Sequence, residues 1–286
     1  MTEILSAKSN HQSQSCRSLI YLGGDGFIQG FILDHGSDQL RPLPRIPFEG
    51  RKPGWFAFDR KTLAVFVADE GGSQLTELTL NPETGSLTPK NLFKFLPQAV
   101  HLSLATSDGE LELFGASYEL GRFSRYRYSQ ESNQAQVIEQ QTVSFSSEAH
   151  THSSAVDEKQ GLVFVANKDE NRIVVFARWE APETDLKEIG EIKTGNPRLL
   201  VFDSVTSHLY MVSEADEGAS EVKIFNVRYD QSETDSASGR NFHVEELGSF
   251  KMGPRGSGLA IDHVHGYLAV SVREKNQEGV WAATLW

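Results

Sequence analysis

The sequence predicts an all-β chain folded as a β-propeller of four-stranded blades, and three observations carry that expectation. Short runs of Val, Ile, Phe, Leu and Tyr alternate with Gly, Asp, Asn and Ser, which is the grammar of strands and tight turns; "KTLAVFVADEGGSQLTELTL" (61–80) is typical. No segment shows a long apolar period of 3.6 residues, so no amphipathic helix is expected. The chain also repeats itself every 40 to 60 residues. Units of that length cannot bury both faces alone and must stack on their neighbours.

The repeats run through the chain in order. "SLIYLGGDGFIQGFILD" (18–34) begins at the second strand of a unit, and "GWFAFDRKTLAVFVADEGGSQLTELTLNPETGSL" (54–87) is the first complete copy. "HLSLATSDGELELFGASYELGRFSRYRY" (101–128) follows, then "HSSAVDEKQGLVFVANKDENRIVVFAR" (152–178). "RLLVFDSVTSHLYMVSEADEGASEVKIFNV" (198–227) and "SGLAIDHVHGYLAVSVREKNQEGVWAATLW" (257–286) close the series. Four of these copies share an apolar strand ending in Asp, a tight turn, a second strand, a polar corner and a third strand; the copy at 101–128 has the Asp replaced. Six repeats are visible, and residues 18–286 read as a single propeller domain. Residues 1–17 read as a polar, poorly ordered lead-in, and "YDQSETDSASGRN" (229–241) as a mobile polar loop inserted in the fifth repeat.

Composition narrows the function. The 286 residues are 38% hydrophobic and 10% aromatic, ample for a core. A net charge of -12 argues against nucleic acid, whose phosphates call for a basic face. No apolar run approaches the length of a membrane-spanning helix, and no signal-peptide core opens the chain. With Cys16 as the only cysteine, no intramolecular disulfide or multi-cysteine metal site is available. The expectation is a cytoplasmic protein with no membrane partner.

Four copies share an internal ruler. Eleven residues beyond the Asp stand Glu70, Lys168, Glu214 and Arg273, and five before it stand Gly54, His152, Arg198 and Ser257. In a hairpin of simple register these two positions lie opposite each other, far from the turn. His152 is therefore expected beside Lys168, with Asn167 competing if a bulge intervenes. Arg198 is expected to face Glu214, and Ser257 to face Arg273. Equivalent positions of successive blades share one rim, so these side chains and the analogous Tyr118 should gather at one mouth of the central channel. Charges of both signs in one place read as a site. Blander accounts exist: a cross-strand ion pair for Arg198 and Glu214, a packing role for His152, a solvated rim charge at Arg273. His150 and His152 give two imidazoles without a clear third ligand, so no metal is expected. His263 and His265 fall in the turn of the sixth repeat, at the other rim.

The stretches "GWFAFDRKTLAVFVADEGGSQLTELTLNPETGSL", "GASYELG", "HTHSSAVDEKQGLVFVANKDENRIVVF" and "GNPRLLVFDSVTSHLYMVSE" resemble successive blades of the lactonase-type seven-bladed propellers. That family includes propeller-type 6-phosphogluconolactonases and the carboxy-cis,cis-muconate lactonizing enzyme. The resemblance runs from about Ser18 to Trp286, with six repeats where the family has seven blades. No segment is found for a C-terminal seventh blade or for the strand that would complete the N-terminal one. The resemblance implies a site made of His152, Arg198, Glu214 and Arg273, with Asn167 where the family often has an acidic residue.

It also implies a cofactor-independent enzyme that opens or forms a lactone on a small anionic substrate, either a lactone hydrolase or an intramolecular lyase (a cycloisomerase). Histidine suits the acid–base role, and arginine binds carboxylate or phosphate with a planar fork. The expected casting has His152 as proton donor or base and Glu214 beside it, orienting Arg198. Arg198, Arg273, Lys168 and His101 bind substrate. Two rival expectations are a pathway-specific cyclase on the same scaffold and a non-catalytic propeller that binds a protein on its rim.

Overall fold

The computed structural model describes residues 2–6, 17–107, 109–131, 134–178, 185–215, 218–229, 242–262, 266–275 and 281–285. The inserted loop of the fifth repeat beyond Tyr229, His263 and His265, and residues 7–16 of the lead-in lie outside them. The described residues form antiparallel sheets and one short 3-10 turn, Ser147–Ala149. The first sheet holds β1 (Thr2–Ser6), β2 (Arg17–Gly24), β3 (Phe27–Asp34), β4 (Gln39–Pro42) and β5 (Ile46–Pro47). The second runs in order through β6 (Pro53–Asp59), β7 (Ala64–Asp69), β8 (Gln74–Leu80) and β9 (Leu87–Lys94). The third holds β10 (Ala99–Ser107), β11 (Glu110–Ser117), β12 (Arg122–Glu131) and β13 (Gln134–Ser144). The fourth holds β14 (Thr151–Asp157), β15 (Leu162–Asn167), β16 (Arg172–Ala177) and β17 (Lys187–Lys193). The fifth holds β18 (Pro197–Asp203), β19 (His208–Ser213), β20 (Glu221–Tyr229) and β21 (Phe242–Lys251). β22 (Gly256–Asp262), β23 (Tyr267–Lys275) and β24 (Trp281–Leu285) make a sixth sheet of three strands.

One difference from expectation lies at the N-terminus. Thr2–Ser6 pair antiparallel with β2, from Thr2 opposite Leu22 to Ser6 opposite Ser18, so a strand does occupy the first position of the N-terminal sheet. A bare edge of β2 would expose a row of unpaired backbone groups, and that demand is not written in the segment's own polar sequence.

In three of the repeats the turn after the first strand is built by the Asp that ends it. The Asp157 carboxylate accepts backbone N–H groups of Lys159 and Gln160 at 3.0 and 3.1 Å, and Asp59 and Asp203 do the same for Lys61 and Val205. These are Asx turns, in which a short acidic side chain replaces a backbone acceptor. Four residues after the Asp the chain turns left-handed, at Leu63, Gly161, Ser207 and Gly266. The ruler seen in the sequence is therefore first a turn device.

Two compact units divide the chain: Met1–Leu104 with Tyr128–Val137, and Ala105–Arg127 with Ile138–Trp286. In the first, Leu19, Tyr21 and Ile28 pack with Phe56, Val65, Val67 and Leu78 between the first two sheets. In the second, β15 is buried on both faces. Leu162, Phe164 and Ala166 join Leu209, Met211 and Phe225 on one side, while Val163 and Val165 join Phe114, Phe123 and Phe176 on the other. Successive side chains of a strand point to opposite faces, so a sheet covered by a neighbour on each side needs an unbroken apolar run. "LVFVA" supplies it. Within this unit the first strands of adjacent sheets contact each other, β14 with β18 and β18 with β22.

Candidate functional site

The site is assembled in the second unit by a backbone irregularity that recurs from sheet to sheet. In β14 the register passes from Thr151 opposite Asn167 to Ser153 opposite Ala166, leaving His152 as the extra residue of a bulge. Arg198 in β18 and Ser257 in β22 occupy the same bulge, as does Gly54 in β6 of the first unit. This corrects the simple hairpin register. His152 is paired with neither Lys168 nor Asn167: the turn is one residue tighter than the sequence suggested, and the bulge then shifts the register by one more, leaving His152 between Thr151, opposite Asn167, and Ser153, opposite Ala166. A bulge re-aims the side chain it carries, here in four repeats at the position five residues before the Asp.

Just beyond the bulge, the N–H groups of Lys168, Glu214 and Arg273 donate to the carbonyls of His150, Asn196 and Arg255 at 3.4, 3.0 and 3.0 Å. The three acceptor residues all have positive φ, 50°, 40° and 55°. Asn and His enter that region more readily than other non-glycine residues, whereas Arg adopts it at a cost. The position eleven residues after the Asp is thus pinned by a repeated backbone contact, and its side chain is set beside the bulge.

Glu214 is the hub. Its side chain, 9% exposed, has Arg198 Nε 3.0 Å from Oε2 and Lys168 Nζ 3.5 Å from the same oxygen. Arg273 donates from Nη2 to Oε1. Arg198 Nε lacks the alignment for a hydrogen bond, but Nη1 donates to the carbonyl and hydroxyl oxygens of Ser257 at 2.6 and 2.8 Å. So Arg198 does meet Glu214, as expected, although not as a paired residue. The expected Ser257–Arg273 neighbours are instead exchanged: Ser257 holds Arg198, and Arg273 reaches Glu214 from the next sheet. Burial draws the Arg198 pKa down, and Arg273 adds to this while Glu214 opposes it. For Lys168 burial acts downward too, but Glu214, Tyr118 and Asp169 outweigh it and the net shift is upward.

The aromatic side of the cluster is built on Tyr118, in the turn between β11 and β12. Its ring stacks on His150 with centroids 4.3 Å apart and planes 11° apart, and meets His152 edge-on at 5.5 Å. Lys168 Nζ is 3.5 Å from the Tyr118 hydroxyl. His150 Nδ1 pairs with Asp169 Oδ2, and Lys168 Nζ lies 3.7 Å from Asp169 Oδ1. Asp169 is the residue that sequence reasoning missed; its only signal was its place after Lys168 in the polar corner "NKDEN". Asn167 is wholly buried. It accepts from Thr151 Oγ1 at 2.9 Å and donates to Glu170 at 3.0 Å, which makes it a brace of the corner.

The structure therefore brings His152, Lys168, Arg198, Glu214 and Arg273 into one connected cluster. His101 belongs to the first unit, where it is 3% exposed and lies against Trp55 with centroids 4.1 Å apart. Burial lowers its pKa to about 3. Among the described residues no group of three or more His, Cys, Asp or Glu is placed to hold a metal ion, and no helix is long and apolar enough to cross a membrane.

Antiparallel sheets of this length, repeated with one internal ruler and stacked face to face through continuous apolar cores, define a β-propeller. Residues 17–283 match the family Lactonase, 7-bladed beta-propeller, and the chain belongs to it. No curated protein matches the chain. Among solved structures, the periplasmic gluconolactonase PpgL of Pseudomonas aeruginosa is 17% identical with a TM-score of 0.69, over 94% of this chain and 82% of its own. A Bacteroides uniformis protein provisionally assigned as a 6-phosphogluconolactonase is 15% identical with a TM-score of 0.64, over 93% and 80%. A Lactobacillus plantarum protein is 15% identical with a TM-score of 0.61, over 99% and 82%. At these identities the likeness is one of fold.

Proposed function

We propose that this protein hydrolyses the lactone of a small anionic substrate, without a cofactor, at the cluster around Glu214. The observation that supports this reading most is the charge count: Lys168, Arg198 and Arg273 converge on one carboxylate, and of these three cations Asp169 touches Lys168 alone. Positive charge is in excess, and an anion would balance it. Arg198 and Arg273 present the forks for a carboxylate or phosphate, and Glu214 keeps both guanidiniums in place. His152, on its bulge beside Tyr118, supplies the acid–base group. Water attacks the lactone carbonyl and gives up a proton, the ring C–O bond breaks, and the departing alkoxide takes a proton. Lys168, held cationic by its neighbours, stabilises the oxyanion formed between these steps.

Hydrolysis is preferred to cycloisomerisation because one structural neighbour, PpgL, is named a gluconolactonase. The neutral ring of His101 offers no cation to an anionic substrate. A single cysteine fits a reducing, cytoplasmic setting. Ring opening followed by NMR on 6-phosphogluconolactone, an unphosphorylated aldonolactone and 3-carboxy-cis,cis-muconate tests the reading. Turnover of the phosphorylated lactone that falls at least about 10²-fold in folded Arg198→Ala supports it. Equal turnover in Arg198→Ala, or no turnover of any lactone by folded wild type, overturns it.

A further inference from the structure

The cluster contains a second imidazole that the casting above leaves idle. His150 stands outside β14, in the left-handed conformation that closes the 3-10 turn. An exposed His–Asp contact alone would count for little, but this one is held on three sides. Asp169 bonds Nδ1, the Tyr118 ring covers one face, and the His150 carbonyl accepts the Lys168 N–H. A carboxylate on Nδ1 keeps the proton there in the neutral ring, leaves the lone pair on Nε2 and stabilises the imidazolium once Nε2 is protonated. Strained backbone at a non-glycine residue persists where the surroundings over-determine it, often at working sites. Tyr118 then connects the two imidazoles, one by its face and one by its edge.

We infer that His150, positioned by Asp169 and Tyr118, is the general base that takes the proton of the attacking water, while His152 protonates the leaving alkoxide. This rests on the lactone-hydrolysis reading above. The step balances: one water proton moves to His150 Nε2, hydroxide adds to the carbonyl carbon, the ring C–O bond breaks, and the His152 proton moves to the alkoxide oxygen. Exchange with solvent then returns both rings to their starting state, and His150, with a side chain 30% exposed, has access to it. The charged and titratable groups that touch His150 or its partners are Asp169 and Lys168 from the β15–β16 corner, Tyr118 from the β11–β12 turn, and His152 against the edge of that ring.

Because φ at His150 is 50°, His150→Gly relieves backbone strain and should fold at least as well as wild type. The expected result is an unchanged or higher melting temperature with kcat lowered by about 10²-fold or more, KM little altered, and activity partly restored by added imidazole. The acid limb of the kcat/KM profile should disappear in His150→Gly, and kcat should fall in Asp169→Asn with KM little altered. A folded His150→Gly with wild-type kcat and an intact acid limb would overturn the assignment and leave the lactone reading standing. A folded wild type that opens no lactone would remove both.

Discussion

Arg273, carried by the sixth sheet, donates a hydrogen bond to Glu214 of the fifth, while Ser257 of the sixth sheet receives Arg198 of the fifth. The two contacts cross between neighbouring sheets in both directions. They tie the C-terminal sheet to the site and make Glu214 the counter-charge for three cations. Removing that carboxylate leaves the largely buried Arg198 and Lys168 without their shared counter-charge.

Glu214→Gln keeps the shape and removes the charge. Breaking a buried ion pair from one side costs about 3–5 kcal/mol, so the variant should lose that much stability in a urea titration and lose lactone turnover with it. An unchanged midpoint would mean that solvent already screens the cluster.

Arg198→Lys preserves the charge and discards the fork that reaches Ser257 at 2.6 and 2.8 Å. Steady-state kinetics should show KM for an anionic lactone raised about tenfold or more, because a lysine cannot hold Glu214 and an anion in one plane. A wild-type KM would show that a point charge suffices there.

His101 gives a pH dependence that can be signed. Its pKa is lowered by burial from an ordinary 6.5 to about 3. Below 6.5 the unfolded chain takes up a proton that the folded chain refuses. Stability is therefore complete above that value and falls as pH drops toward 3, by about 1.4 kcal/mol per pH unit in the middle of the window. His101→Phe, which keeps a ring against Trp55, should flatten that part of the stability–pH curve.

Gly161 tests the turn device. Its φ is 64°, and an added Cβ would sit 2.8 Å from the Arg178 carbonyl oxygen. Gly161→Ala should lower stability by about 1–3 kcal/mol in thermal melts. Ser207 shows that the left-handed conformation alone is tolerated, so the close carbonyl is the larger part of the effect.

The sequence was most legible where the chemistry is local. Asp59, Asp157 and Asp203 announce their turns because an Asx turn needs only the next two or three residues. The apolar run of β15 announces burial on two faces for the same reason. The register of the site was less legible. A bulge at His152, Arg198 and Ser257 adds one residue without changing residue types, so counting from the turn placed His152 against Lys168 when it sits opposite no single partner. Asp169 passed unnoticed because an acidic residue in a polar corner is ordinary until the ring of His150 is seen against it.

By itself the sequence determined an all-β propeller, the spacing of its repeats, and the gathering of His152, Lys168, Arg198, Glu214 and Arg273 at matching positions. Turn chemistry and strand period act over a few residues, so they can be read along the chain. Only the tertiary structure decided which of these side chains meet, and the pairing of Thr2–Ser6 with β2. Contacts such as Arg273 with Glu214 and Tyr118 with both histidines join different sheets. They depend on how the sheets stack and on where a bulge turns a side chain, and that information is spread over the packing of the whole unit.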